Sequence, residues 1–424
     1  MFRSLRAFTS FALIVSIISS LYAESTTGHS LSKERAIRIA LEQNKHLLAA
    51  RQTIEQAEAR RQIAGKWDDP ELSIEYSNDW LFNDEGESTF GIAFEQRFPI
   101  SKRVGLQKDI SDIEIQLARA EIANFERILI RDVELAINDI AHIDAQLGLR
   151  HSLVALNTEF ANFVESRIET AEASELDANQ VKIELYVIEQ EIQNLKNERE
   201  SRVSSLRTLL GQEPQFELIL SETFQLLDSA LQPEAATLNS LDSHPEYRIR
   251  QLLLDITAKE AELALRGRWD DITLGFGFEN ERSVDEPSGL GTDRFLGVSV
   301  SIPLPIRKRY EPAVRENVSR QNQMRAQLEA TALELRNQAN ALSAKALSLY
   351  QQAEHYEKSV TKLVERNLEQ MNSAYGAGLI NLNQLFRSQE RRLKIQSAYL
   401  TMVHDYQQAV VEWHAATAQN IAKR

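Results

Sequence analysis

Along this chain the spacing of apolar residues changes from a helical period to a strand period and back, and does so twice. Ala36, Ile39, Ala40, Leu47, Ala50 and Ile54 recur at helical spacing. They predict one amphipathic helix from Leu31 to Ala64, capped by Ser30 or Ser32 and stopped by Gly65. From Pro70 the period becomes two. Leu72, Ile74 and Tyr76 alternate with Ser73, Glu75 and Ser77, and after a polar loop Phe90, Ile92 and Phe94 alternate with Gly91, Ala93 and Glu95. The switch recurs from a helix starting near Pro245. Ile272, Leu274, Phe276 and Phe278 alternate with Thr273, Gly275, Gly277 and Glu279, then Leu296, Val298, Val300 and Ile302 alternate with Gly297, Ser299 and Ser301. Such alternation marks strands with one apolar face and one polar or small face.

After each pair of strands the helical period returns and persists. Ile122, Phe125, Leu129, Val133, Ala136, Ile140, Ile143 and Leu147 step by three and four, and Leu153, Leu156, Phe160 and Phe163 resume after a slip. Residues 102–170 contain no Pro, so one helix of ~100 Å is expected at ~1.5 Å per residue. Its counterpart runs from about Val314 to Tyr375. Each long helix turns, near Ala171–Ser174 and near Gly376–Gly378, and returns, the first to Leu210 and the second to about Ala418. Gln212 to Asn239, with Pro214 and Pro233, reads as an irregular linker.

A repeated frame brackets the strands. Gly65-Lys66-Trp67-Asp68-Asp69 precedes the first pair, and Phe98-Pro99-Ile100-Ser101-Lys102-Arg103 follows it. Gly267-Arg268-Trp269-Asp270-Asp271 and Leu304-Pro305-Ile306-Arg307-Lys308-Arg309 do the same for the second. The chain therefore divides into a first repeat over 24–211 with a hairpin at 70–99 and a tip near 171–177, a linking segment 212–240, and a second repeat over 241–424 with a hairpin at 271–303 and a tip near 376–387.

In water the apolar strand faces would need a covering layer, and no other strand-rich region exists to supply one. Lipid can cover them, since a membrane strand needs ~9–11 residues. Trp67, Trp80, Trp269, Phe98 and Phe295 are expected near strand ends, as an aromatic girdle. A small soluble sheet with core aromatics is the alternative. Four strands cannot close a barrel, which takes ~8 or more, and lipid does not tolerate an open edge. Insertion therefore implies several copies of the chain.

Composition narrows the class. Only 15 Gly and 9 Pro occur, in keeping with long helices. Cys is absent, which excludes disulfides, thiolate metal sites, a thiol nucleophile and an N-terminal lipidated cysteine. The net charge of −14 disfavours nucleic acid as a partner. Arg3 and Arg6 before the apolar run 11–18, with Ala23 as the last residue before cleavage, read as a signal peptide over 1–23; a membrane anchor is the alternative, but the run is short. No nucleophile-elbow or metal-ligand spacing is present, and the eight His form no i, i+4 pair. The expectation is no enzyme, no cofactor and no resident metal.

The order signal, helix, hairpin, long helix, tip and return helix, all repeated, resembles the TolC-like outer-membrane efflux family over essentially the whole mature chain. The resemblance implies a mainly α fold with a small β part, in which three chains build a twelve-stranded barrel in the outer membrane, continued by an α-helical barrel across the periplasm. It implies passive conduction from an inner-membrane pump, joined through a periplasmic adaptor docked near the tips. The segment 298–305 is similar to the heavy-metal branch typified by CzcC, implying metal cations and a pump of the RND type. A type I secretion or drug-efflux duct shares the architecture; a soluble periplasmic coiled-coil scaffold is the alternative outside it.

The family's tip pattern falls on Gly378, Asn381 and Gln384 in repeat two, and on Ala171, Ser174 and Asp177 in repeat one. Acidic residues that ring the aperture elsewhere in the family are here Gln384 and Arg387, so a carboxylate gate is in doubt. Asp177 and Arg387 have opposite signs and could latch the two tips. On the strands, Glu75, Glu95, Glu279 and Ser299 fall on the polar face and are expected to face the lumen.

Overall fold

The computed structural model describes residues 30–81, 85–169, 174–216, 218–220, 224–226, 241–285, 287–304, 308 and 310–419. The expected signal peptide, Ala171, most of the linking segment and residues 305–307 and 309 lie outside them. In order, the elements are β1 (Ser30–Leu31), α1 (Lys33–Gln43), α2 (Lys45–Ile63), β2 (Glu71–Asn78), β3 (Ser88–Phe98), α3 (Arg103–Glu169), α4 (Glu175–Leu210), β4 (Ile219–Leu220), α5 (Pro245–Arg266), β5 (Ile272–Asp285), β6 (Gly289–Ser301), α6 (Tyr310–His355), α7 (Thr361–Gly376) and α8 (Leu382–Ala416). They form two compact units, one over 49–125 and 238–337, the other over 1–48, 126–237 and 338–424. No described helix is long and apolar enough to cross a membrane.

The first unit carries an antiparallel sheet in the order β2-β3-β5-β6. Pairing keeps the strand faces in phase. Leu72 lies opposite Phe94, Phe94 opposite Phe276 and Phe276 opposite Val298. One pair along, Ser73, Ala93, Gly277 and Gly297 form the corresponding row on the other face. Most of the apolar face stays uncovered: from Leu72 to Tyr76, Phe90 to Phe94, Leu274 to Phe278 and Leu296 to Val300 its apolar side chains are 37% to 77% exposed. Gly65 ends the helix before the sheet with a φ of +67°, and a Cβ there would lie 2.6 Å from the Val104 carbonyl oxygen. Left-handed backbone and close approach thus both call for glycine.

Phe295 departs from the expectation. It lies within β6, opposite Glu279, on the polar face rather than near a strand end. Strand β5 continues through mostly polar residues to Asp285, which lengthens the second hairpin. Trp67 packs edge-on to Phe98 at 5.4 Å, and the Arg268 guanidinium lies 5.8 Å from the Trp269 ring centre.

The single helix expected from Leu31 to Ala64 is two helices that meet at Asn44, which belongs to the second unit. Asn44 has a ψ of 121°, which breaks the helical run. Its buried side chain repairs the break by accepting from Leu47 N at 2.9 Å and donating to the Leu209 carbonyl at 2.9 Å. Gly211 caps α4 in left-handed conformation, and a Cβ there would lie 2.2 Å from the Gln43 carbonyl oxygen. β1 and β4 pair in parallel, Ser30 opposite Ile219, so part of the expected irregular linker is a short strand. The long helix expected over 314–375 contains a π-turn at Tyr356–Val360. Among the packed clusters are Ile143, Leu147, Leu153, Ile188 and Ile192, then Ala346, Tyr350, Tyr406, Ala409 and Val410, then Val164, Ala178, Val181 and Leu382.

Candidate functional site: a carboxylate trough and two helix-capped tips

The polar face of the sheet curves into a trough of about 510 Å³. Glu75, Glu95, Glu279 and Ser299 all line it, with Ser73, Ser77 and Thr89. Gly91, Ala93, Gly275, Gly277 and Gly297 give it a floor almost without side chains. The floor is tight in places: a Cβ on Gly275 would meet the Ser299 hydroxyl at 2.2 Å. One face therefore offers hydrocarbon, and the other offers carboxylates and hydroxyls to water.

At the base of the sheet the two repeated frames meet. Arg103, from the end of the first frame, forms an ion pair with Asp271, from the start of the second. Asp68, Arg97, Trp269 and Asp270 line the surrounding cleft.

The two tips are built alike. Ser174 caps α4: its hydroxyl accepts from Asp177 N at 3.2 Å, and Asp177 Oδ2 accepts from Ser174 N at 3.2 Å. Asn381 caps α8 in the same reciprocal way, with Gln384 N donating at 3.0 Å and Asn381 N donating to Gln384 Oε1 at 3.1 Å. Gly378, with φ +73°, makes the turn before the second cap. In both repeats the spacing of the tip pattern is also that of a capping box. Asp177 also accepts from the Ser174 hydroxyl at 2.9 Å. Arg387 is exposed, and among the described residues no ion pair joins it to Asp177. The contact that does join the tips is neutral, from Gln180 Nε2 to Asn383 Oδ1 at 2.9 Å. Beneath it Phe160 packs against Tyr375 and Phe386 at 5.1 and 6.1 Å. Leu176 and Leu379 are left 74% and 78% exposed beside the caps.

A third cluster was not visible in the sequence. His142 of α3 and His404 of α8 stack with ring centres 4.6 Å apart. His404 Nε2 lies 2.9 Å from Asp139 Oδ1, and its Nδ1 lies 3.2 Å from Asp405 Oδ1. Gln408 also reaches the His404 ring and Asp139, and Arg202 of α4 pairs with Asp139 at 3.2 Å. The Phe224 ring centre lies 5.6 Å from that of His142. Burial, and then the neighbouring His404, push His142 down to about 4. Burial opposes the charge on His404 as well, but Asp139 and Asp405 hold its titration above the ordinary histidine range. Among the described residues no group of three or more His, Asp or Glu is placed to hold a metal ion.

The outer membrane efflux protein family matches residues 36–212. No curated protein matches the chain by sequence. Its fold resembles solved channels of low identity. CusC matches with a TM-score of 0.74 and 16% identity over 91% of each chain. The outer membrane protein VceC from Vibrio cholerae matches at 0.73 and 15%, over 91% of this chain and 95% of that one. The MtrE outer membrane channel of Neisseria gonorrhoeae, in its open state, matches at 0.69 and 14%, over 91% and 88%. Its first repeat thus matches the outer membrane efflux protein family by sequence, and nine-tenths of its length shares the fold of solved outer-membrane channels.

Proposed function

We propose that this chain is the outer-membrane duct of a tripartite efflux system that passes metal cations. An inner-membrane pump of the RND type supplies the energy, and a periplasmic adaptor links pump to duct. The observation that carries this reading is the two-faced sheet: an apolar face suited to lipid backs a trough bearing Glu75, Glu95 and Glu279. Carboxylates in a water-lined passage raise the local cation concentration without a tight site, as conduction requires. The adaptor docks at the tips, where Leu176 and Leu379 offer apolar contact beside rigidly capped helix ends. The Ser174–Asp177 and Asn381–Gln384 boxes hold those ends in place, and the signal peptide directs export.

Planar-bilayer recording tests the reading. The wild-type trimer is expected to conduct with a cation-selective reversal potential in a KCl gradient, and the triple variant E75Q/E95Q/E279Q to lose most of that selectivity. A wild-type channel without cation preference, or a triple variant unchanged in selectivity, would refute the cation reading.

A further inference from the structure

The two hairpins share one internal register. Aligning the repeated frames makes Glu71 equivalent to Thr273 and Glu95 equivalent to Ser301. Glu71 pairs with Glu95, and Thr273 pairs with Ser301. The equivalence read from sequence therefore reproduces the pairing observed inside both hairpins. Between the hairpins, β3 meets β5 with Ala93 opposite Gly277 and Phe98 opposite Ile272. The outer edges of β2 and β6 have no partner strand within the sheet.

We infer that β6 of one copy joins β2 of the next in the register by which β3 joins β5, setting Ser299 opposite Glu75 of the neighbouring copy. This rests on the trimeric reading and adds the residues that meet. Under the frame alignment Ser299 is the counterpart of Ala93 and Glu75 that of Gly277. The same register sets Val298 opposite Tyr76, Val300 opposite Ile74 and Ile302 opposite Leu72, so apolar residues continue the lipid face across the joint. Ser299, Glu75 and Ser301 opposite Ser73 continue the trough.

Barrel geometry supports the register. Following paired residues across one copy leads from Glu71 through Glu95 and Gly275 to Ser299, and then to Glu75 of the next. The path climbs one residue per strand, ~3.3 Å of rise for ~4.8 Å of lateral step, a tilt of ~35°. Membrane barrels tilt by ~35–45°. Setting Ser299 opposite Ser73 would give ~19°, well outside that range, and setting it opposite Ser77 ~46°, at its upper margin.

Disulfide trapping in the outer membrane tests the joint, because the native chain has no cysteine. The reference is A93C/G277C within one chain, where a Cβ on Gly277 lies 3.6 Å from that of Ala93, within disulfide reach. The test is E75C/S299C, compared with S73C/S299C and S77C/S299C under mild oxidation on non-reducing gels. E75C/S299C is expected to give covalent dimers and trimers at least ~10-fold faster than either shifted pair, since disulfides tolerate only a narrow Cβ separation. Faster trapping of a shifted pair, or no intermolecular disulfide in chains that remain trimeric, would overturn the register. Native mass measurement of the same samples separates that failure from failure of the trimeric reading, which a monomeric mass would show.

Discussion

In the first hairpin the eight residues of β2 face the eleven of β3 across a connection over 79–87; in the second, fourteen of β5 face thirteen of β6, which turn back within a few residues. Near the repeated frames the hairpins are equivalent pair for pair, and away from them they diverge. The frames, with Arg103 bound to Asp271, fix where pairing starts. Beyond that, strand length is free to vary, because each added antiparallel pair satisfies its own backbone. The lining differs as well. Two trough carboxylates, Glu75 and Glu95, come from the first hairpin, whereas the second supplies Glu279 beside a floor of Gly275, Gly277 and Gly297.

The largest expected effect separates the two faces within one strand. Phe276→Arg, on the apolar face, is expected to cost ~2–4 kcal/mol of folding stability in lipid. Glu279→Arg, three residues on and facing the trough, is expected to leave stability within ~1 kcal/mol and change ion selectivity. Denaturant unfolding from vesicles distinguishes the two. Equal loss of stability in both variants would break the assignment of faces.

A smaller effect sharpens the comparison of the opening helices. Asn44 in repeat one and His244 in repeat two both precede helices that lead to a hairpin, but only Asn44 caps with its side chain. Asn44→Ala removes the cap and leaves the Leu209 carbonyl without its donor, at a cost of ~1–3 kcal/mol. Thermal melting in detergent reads it, and a change in stability below ~0.5 kcal/mol would count against the capping role of Asn44.

At the tips the caps share a geometry and differ in charge. Ser174→Ala and Asn381→Ala should each cost ~1 kcal/mol locally. Hydrogen exchange should quicken over the first turn of α4 and of α8 respectively. Replacing Asp177 by Asn should cost more than replacing Gln384 by Ala, because a carboxylate also favours the positive end of a helix. Identical exchange in the two variants would remove charge from the account of the first tip.

The pH response is the smallest effect. His142 titrates lower folded than unfolded, so its contribution to stability falls as pH drops from about 6.5 towards about 4. His404 titrates higher folded, so its contribution is full below about 6.5 and is lost as pH rises through its folded value. The groups facing the pair are Asp139 from α3, Arg202 from α4 and Asp405 and Gln408 from α8. His142→Asn should flatten the acid limb of the stability profile, and His404→Gln the limb above 6.5. An unchanged acid limb in His142→Asn would assign it to other groups.

Much of this fold is written in local pattern. Leu72, Ile74 and Tyr76 show a period of two, and Gly65 and Pro99 bracket it, so the hairpins and the helices around them can be read directly. The trough residues follow from that alternation, since facing is fixed two residues at a time. Features lacking an apolar signal stay hidden. Apolar periodicity runs straight through Asn44, and residues 280–285 extend β5 with Val284 as their single apolar residue. The capping boxes are legible, because Ser174-x-x-Asp177 has the required spacing, but the sign of Asp177 points equally to a latch with Arg387 across the tips. His142 and His404 come from different repeats, and only the packing of α3 on α8 brings their rings together.

Thiol accessibility in sealed vesicles tests the two-faced sheet most directly. Single cysteines at Glu75, Glu279 and Ser299, and at Ile74, Phe276 and Val298, would be probed with a charged maleimide before and after detergent is added. The trough positions should react quickly in vesicles, and the apolar positions should react only after lipid is removed. Equal reactivity of the two sets in intact vesicles would contradict a lipid-embedded sheet lined by a water-filled trough.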